Sequence, residues 1–109
     1  MPYDTGLAAR IRSALAPRPT RERAMFGGLS FMVAEKLIVA ARGDSSLLVR
    51  VDSARADELL EIEGAEPAEM KNRAMGRGWM TVRGESLATD ERLEFWLGVA
   101  LESIGAQVR

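Results

Sequence analysis

The side chains that could do chemistry at neutral pH form a short list in this sequence. It contains no cysteine and no histidine. That removes the thiolate nucleophile, the thiolate metal site, the commonest general base and the commonest zinc ligand. Catalysis would have to run on Asp, Glu, Lys, Ser, Thr or the single Tyr3. The carboxylates come as Glu61/Glu63, Glu66/Glu69 and Asp90/Glu91/Glu94. A glycosidase-type pair or a carboxylate metal site needs such groups to converge in a cleft. The last set instead lies along the start of an expected helix, where the macrodipole favours negative charge. The chain is therefore read as non-enzymatic, with no catalytic residue, no metal and no cofactor assigned.

Two basic groups are the alternative source of function. Arg18, Arg21 and Arg23 follow the first helix, and Lys71, Arg73 and Arg77 precede Trp79. Cations beside an exposed aromatic can hold a nucleic-acid backbone and stack a base; the blander reading is a set of solvated loop residues with Trp79 buried. The glycines carry less. Gly27-Gly28 lacks the further glycines, or the Gly-Lys-Ser/Thr ending, of a phosphate loop. It sits between two strands, where positive φ for a turn or bulge is the expected role. Gly76-Arg77-Gly78 leads into a strand, so it has no value as a nucleotide motif. Met25, Met32, Met75 and Met80 are read mainly as core, with a partner surface as the alternative.

These residues need a scaffold, and 109 residues allow one domain with one core, 1–109. A composition of 47% hydrophobic and 28% charged residues is that of a globular protein. The longest wholly apolar run is Leu37-Ile38-Val39-Ala40-Ala41, far short of the ~18–20 residues of a membrane span. The N-terminus lacks the basic start and apolar stretch of a signal peptide. A cytoplasmic location and no membrane partner are the expectation. Net charge is −1 but polarised: residues 1–50 hold eight Lys/Arg against four Asp/Glu, and residues 51–109 hold seven against twelve. That is not the strongly basic footprint of a dedicated nucleic-acid binder.

Leu7, Ile11 and Leu15 repeat every four residues and predict a helix over 5–15, capped by Asp4 or Thr5 and stopped before Pro17. Four apolar stretches then follow: Arg23–Phe26, Leu29–Ala34, Leu37–Ala41 and Leu47–Val51. Turns of two to four residues separate them, which makes an antiparallel meander. A second helix is expected at 53–63, begun by Asp52 or Ser53 and stopped by Gly64. No element is assigned to 64–78. Trp79–Arg83 reads as a strand. A last helix begins at Thr89, with Leu93, Trp96, Leu97, Ala100, Leu101 and Ile104 facing inward. The fold class is two-layer α+β, an antiparallel meander packed against helices in the order α-β-β-β-β-α-β-α.

Strict alternation puts Met32, Ile38 and Leu48 on the outer face of that sheet, where polar residues are the norm. Either helices cover both faces or these three form an apolar patch that meets a partner. A homodimer is the expected occupant, because self-association buries such a patch most simply.

The string Met25-Phe26-Gly27-Gly28-Leu29-Ser30-Phe31-Met32-Val33 is similar to the signature strand pair of the TfoX/Sxy family's N-terminal domain. Leu47–Val51, the segment Ala74-Met75-Gly76-Arg77-Gly78-Trp79 and the helix holding Phe95-Trp96-Leu97 match in order and spacing, so the resemblance runs from about residue 3 to 105. It implies a two-layer domain like the secretion-chaperone fold, usually dimeric. Met25, Phe26, Gly27, Gly28, Leu29, Phe31, Met32, Met75, Gly78 and Trp79 would be fold determinants, and no catalytic residue carries over. The family's named members regulate natural competence and have a further C-terminal helical domain, so this chain is expected to be the N-terminal domain by itself. The function so implied is regulatory protein–protein interaction. The alternative is a nucleic-acid-associated regulator using Arg21, Arg23, Lys71, Arg73 and Arg77.

Overall fold

A computed structural model describes residues 3–16, 18–25, 28–70 and 73–108. Phe26, Gly27 and Lys71, and the side chain of Met25, lie outside the described residues. Helix α1 spans Thr5–Leu15. The Asp4 carboxylate accepts from the Leu7 N–H at 2.9 Å and satisfies one of the orphan donors of the first turn. The helix buries Leu7, Ala8, Ile11 and Leu15 as one stripe. It ends at Ala16, whose ψ of 148° is the extended geometry imposed by the following proline.

The meander comprises β1 (Arg21–Met25), β2 (Gly28–Val33), β3 (Lys36–Arg42) and β4 (Leu47–Arg50). A 3₁₀ turn at Ser53–Arg55 leads into a short α2 (Ala56–Leu60). The expected helix over 53–63 is thus reduced to one α-helical stretch of five residues. Asp52 tightens its start by accepting from Ala54 N–H through its side chain and from Arg55 N–H through its carbonyl. At the other end, i→i+3 bonds from Glu61 and Ile62 close it early and turn Ile62 towards the core. Gly64 then takes a φ of +91°, and a Cβ there would lie 2.0 Å from Ser86 Oγ, so only glycine fits.

The segment without an expected element holds three very short strands. They are β5 (Ala65–Pro67) and the two-residue arms β6 (Glu69–Met70) and β7 (Arg73–Ala74). β8 (Trp79–Val82), a 3₁₀ turn at Gly84–Leu87 and α3 (Asp90–Val108) complete the chain. Thr89 Oγ1 accepts from the Arg92 N–H at 3.2 Å and caps α3. The six-stranded antiparallel sheet runs β1-β2-β3-β4-β8-β5, and β6-β7 form a separate hairpin.

α1 and α3 cover the inner face, where Leu29, Phe31, Val39, Ala41, Leu47, Val49, Met80 and Val82 pack against Ile11, Leu93, Trp96 and Ala100. This is the α+β class expected. The outer face departs from expectation at two residues. Phe31 faces Val39 and Met32 faces Leu37, so Ile38 is the extra residue of a β-bulge. The bulge resets the alternation, and Ile38 joins Val39 in the main core at 0% exposure. Leu48 does face outward, but with Ala40 it is sealed beneath Ala68, Met75 and Trp79 in a second small core. The open apolar patch is therefore corrected: Ile38 and Leu48 are interior, and Met32 alone of the three stays partly exposed.

Gly28 is also explained differently from the expected positive φ. It pairs with Arg42, and a Cβ there would sit 2.1 Å from the Ala41 carbonyl oxygen. Glycine is required because the β2 and β3 backbones approach so closely. Positive φ belongs instead to Ala34 (54°) and Glu35 (67°), the two-residue turn joining β2 to β3, where Asn-Gly would be unstrained.

Two stability changes follow, both readable from urea unfolding midpoints. Gly28→Ala should destabilise by about 2–3 kcal/mol through overpacking. The double change Ala34→Asn with Glu35→Gly should stabilise by about 1 kcal/mol through relief of backbone strain.

Candidate functional site

At the β8 end of the sheet, the chain leaves β5 at Pro67 and crosses to the outer face through Ala68. The crossing leaves a gap between α2 and the β6–β7 hairpin. Ala56 and Leu60 form one wall, Pro67 and Ala68 the floor, and Ala74, Gly76, Trp79 and Met80 the other wall. The groove has a volume of about 280 Å³ and an almost wholly apolar lining. Leu60 is exposed at 36%, and among the described residues Phe95 on α3 is exposed at 46%.

Trp79 is held in place from behind. It faces Arg50 across the β4–β8 ladder, and the Arg50 guanidinium carbon lies 5.0 Å from the indole centroid. The Arg50 Nε–H donates to the Leu37 carbonyl at 2.8 Å, so the cation cannot swing away freely. The turn before Trp79 is anchored by the Val51 N–H, which donates to the Gly78 carbonyl at 2.9 Å. Gly76 takes a φ of +95°, and a Cβ there would meet nothing within 4 Å. Glycine is needed there for the turn and not for space. Among the described residues the one charged group of the lining is Arg77, which donates to Asp57 Oδ1 at 3.2 Å and to the Ser53 carbonyl at 3.4 Å. Both ends of that ion pair are well exposed, so it contributes little stability.

Of the sequence-derived positions, Trp79, Met75 and Gly78 gather at this end, with Met75 packed under the hairpin and Gly78 in the anchoring turn. Leu29 and Phe31 are inner-core residues, Met80 is buried, and Met32 lies on the outer face. The basic residues do not assemble. Arg21 and Arg23 sit on β1 and Arg77 beside β8, four strand spacings or roughly 19 Å apart across the sheet. Arg73 is exposed on β7, and Arg18 donates to the Leu15 carbonyl. The expected carboxylate sets are likewise spread. Asp90 pairs with Arg10 and Glu66 with Arg83, and no three acidic residues converge among the described residues. Pro67 and Ala68 carried no sequence signal, because small apolar residues in an unassigned segment read as connection, and Ala56 and Leu60 were read only as part of the second helix.

A model of the TfoX N-terminal domain matches residues 14–104. The chain belongs to this family. No match was found among curated proteins or among solved structures. The family's signature pair is the β1–β2 hairpin, and its Ala74–Trp79 segment forms the groove wall. The β1–β2 strand pair and the candidate site are thus on different parts of this TfoX-type domain.

The carboxylates with shifted pKa values lie away from the groove. Glu22 is lowered by its hydrogen bonds from Arg12, Asp4 by the Leu7 N–H, and Asp44 by the Ser46 hydroxyl. Each folded-state value lies below the unfolded one. The stability they supply is therefore complete above ~pH 5 and is lost as pH falls through the lowered values. The urea midpoint should drop between about pH 5 and pH 3, and Glu22→Gln should flatten that drop. In a second measurement, Arg50→Ala should red-shift Trp79 emission and cost about 1 kcal/mol.

Proposed function

We propose that this TfoX-type domain is a non-catalytic regulatory interaction module, and that its α2–β8 groove receives an apolar side chain of a protein partner. The carrying observation is the groove itself: an apolar cleft open to solvent, with a tryptophan wall fixed by Arg50. A pre-formed cleft loses little entropy when it is filled, and aromatic-walled pockets of this kind concentrate binding energy. Its volume of about 280 Å³ suits one or two large side chains. A catalytic cleft would gather several titratable groups, and among the described residues this lining has Arg77 alone.

Nucleic-acid association is the weaker reading, because the cations that would carry it are divided between the two ends of the sheet. A homodimer seated on Ile38 and Leu48 loses its motive, since both side chains are covered by the chain itself.

A photo-crosslinking residue placed at Leu60 in the expressed protein should capture a protein partner that the same residue at Arg92 does not. Trp79→Ala should weaken that capture by about tenfold or more. Equal capture from both positions, or adducts only to nucleic acid, would overturn the proposal.

A further inference from the structure

The two edges of the sheet are finished in different ways. β5 is three residues long and ends in Pro67, which has no N–H to offer an incoming strand. β1 is five residues long, contains no proline, and pairs with β2 in unbroken register from Arg21↔Met32 to Met25↔Gly28. Its outer edge is therefore a regular row of backbone donors and acceptors. Arg21, Glu22, Arg23 and Ala24 are all exposed, and among the described residues on the helix side only the Arg12 side chain of α1 reaches over the strand at Glu22.

The side chains on the two faces differ in how far they are engaged. On the helix side, Glu22 is held by Arg12 of α1 through two bonds of 2.6 and 2.8 Å. This fork ties β1 to the helical layer and leaves the Glu22 charge matched. On the outer side, Arg21 and Arg23 project together, two residues apart. Arg21 reaches Glu35 at 3.5 Å with both side chains about three-quarters exposed, at 74% and 76%. No carboxylate among the described residues pairs with Arg23. Two cations at strand spacing on an open edge make a short template of fixed period.

We propose that β1 accepts an added strand, and that its occupant is an extended segment of a partner protein with carboxylates at alternate positions. The backbones would supply the ladder. The carboxylates would face Arg21 and Arg23, where opposite charges on neighbouring strands attract. The intervening residues would fall on the helix side beside Ala24 and the satisfied Glu22, so they need no charge. A second copy of this chain fits less well. A two-fold antiparallel pairing centred on Arg23 sets Arg23 against Arg23 of the other copy. One centred on Glu22 sets Glu22 against its own copy and Arg21 against Arg23. Like charges directly opposite are destabilising. This surface lies at the far end of the sheet from the α2–β8 groove and stands independently of it.

The test uses the whole chain and two fluorescein-labelled synthetic ten-residue peptides. One alternates glutamate with valine and threonine, and the other has lysine in place of each glutamate. The glutamate peptide should bind by anisotropy at least about tenfold more tightly than the lysine peptide. Saturation should slow amide hydrogen exchange within Arg21–Met25. Arg21→Glu with Arg23→Glu should reverse the preference, with circular dichroism unchanged, and Trp79→Ala should leave it intact. Equal binding of the two peptides would overturn the proposal, as would no binding at about 1 mM. Binding that leaves Arg21–Met25 exchange unchanged would reduce the effect to attraction between charges. Protection of β1 that grows with protein concentration alone would give the edge to a second copy.

Discussion

An antiparallel sheet has one dry face and one wet face only while its strands alternate in polarity, and the middle strands of this one do not. β3 carries Leu37-Ile38-Val39-Ala40-Ala41 and β4 begins Leu47-Leu48-Val49. Apolar surface on both sides must be removed from water, at roughly 25 cal/mol for each square ångström buried. The rest of the chain answers this demand. α1 and α3 lie over the inner face, and β6–β7 with Trp79 lie over Ala40 and Leu48 on the outer one. Even the bulge at Ile38 belongs to the same solution, since it turns one side chain from the outer face into the main core.

The two covers are unequal in size, and the surface of the molecule follows from that. The helices span much of the inner face, whereas the outer cover that packs on Ala40 and Leu48 is made of Ala68, Met75 and Trp79. Where it joins β5 and α2, small residues and Pro67 leave a cleft that no larger side chain fills. At the other end it leaves β1 untouched, with its arginines in solvent. An apolar hollow and a cationic strand edge thus sit at opposite ends of one sheet. The ion pairs that frame both ends, Arg12–Glu22 and Arg77–Asp57, are surface features that orient side chains more than they stabilise the fold.

Much of the framework could be read from the sequence, because its signals are long or chemically specific. The Leu7/Ile11/Leu15 repeat, the Asp4 cap and the Pro17 stop define α1 to the residue. The meander follows from apolar runs between short turns, and Thr89 marks the start of α3. What escaped has physical causes. Strands of two and three residues are too short to show a period, so β5, β6 and β7 left no trace. A single inserted residue at Ile38 breaks the phase between Leu37 and Val39, and alternation alone cannot reveal that. The groove was half legible. Trp79 and Arg77 stood out by type, but the Ala56, Pro67 and Ala68 that shape the hollow matter by being small, which no motif advertises. Gly28 was noticed as a glycine and misread in role, since close backbone approach and positive φ look the same in sequence.

The strand order also bears on how the domain is made. β1 to β4 pair with their neighbours in sequence, so this meander can assemble as soon as it leaves the ribosome. The outer cover, Ala68, Met75 and Trp79, comes later, as does the α3 part of the inner one, Leu93 to Ile104. Until those segments are made, the four strands have only α1 over their inner face, and the outer face around Ala40 and Leu48 is uncovered. Apolar sheet left open in this way is prone to aggregate. The burden of keeping it apart from its siblings falls on the edge charges of β1 until α3 is complete.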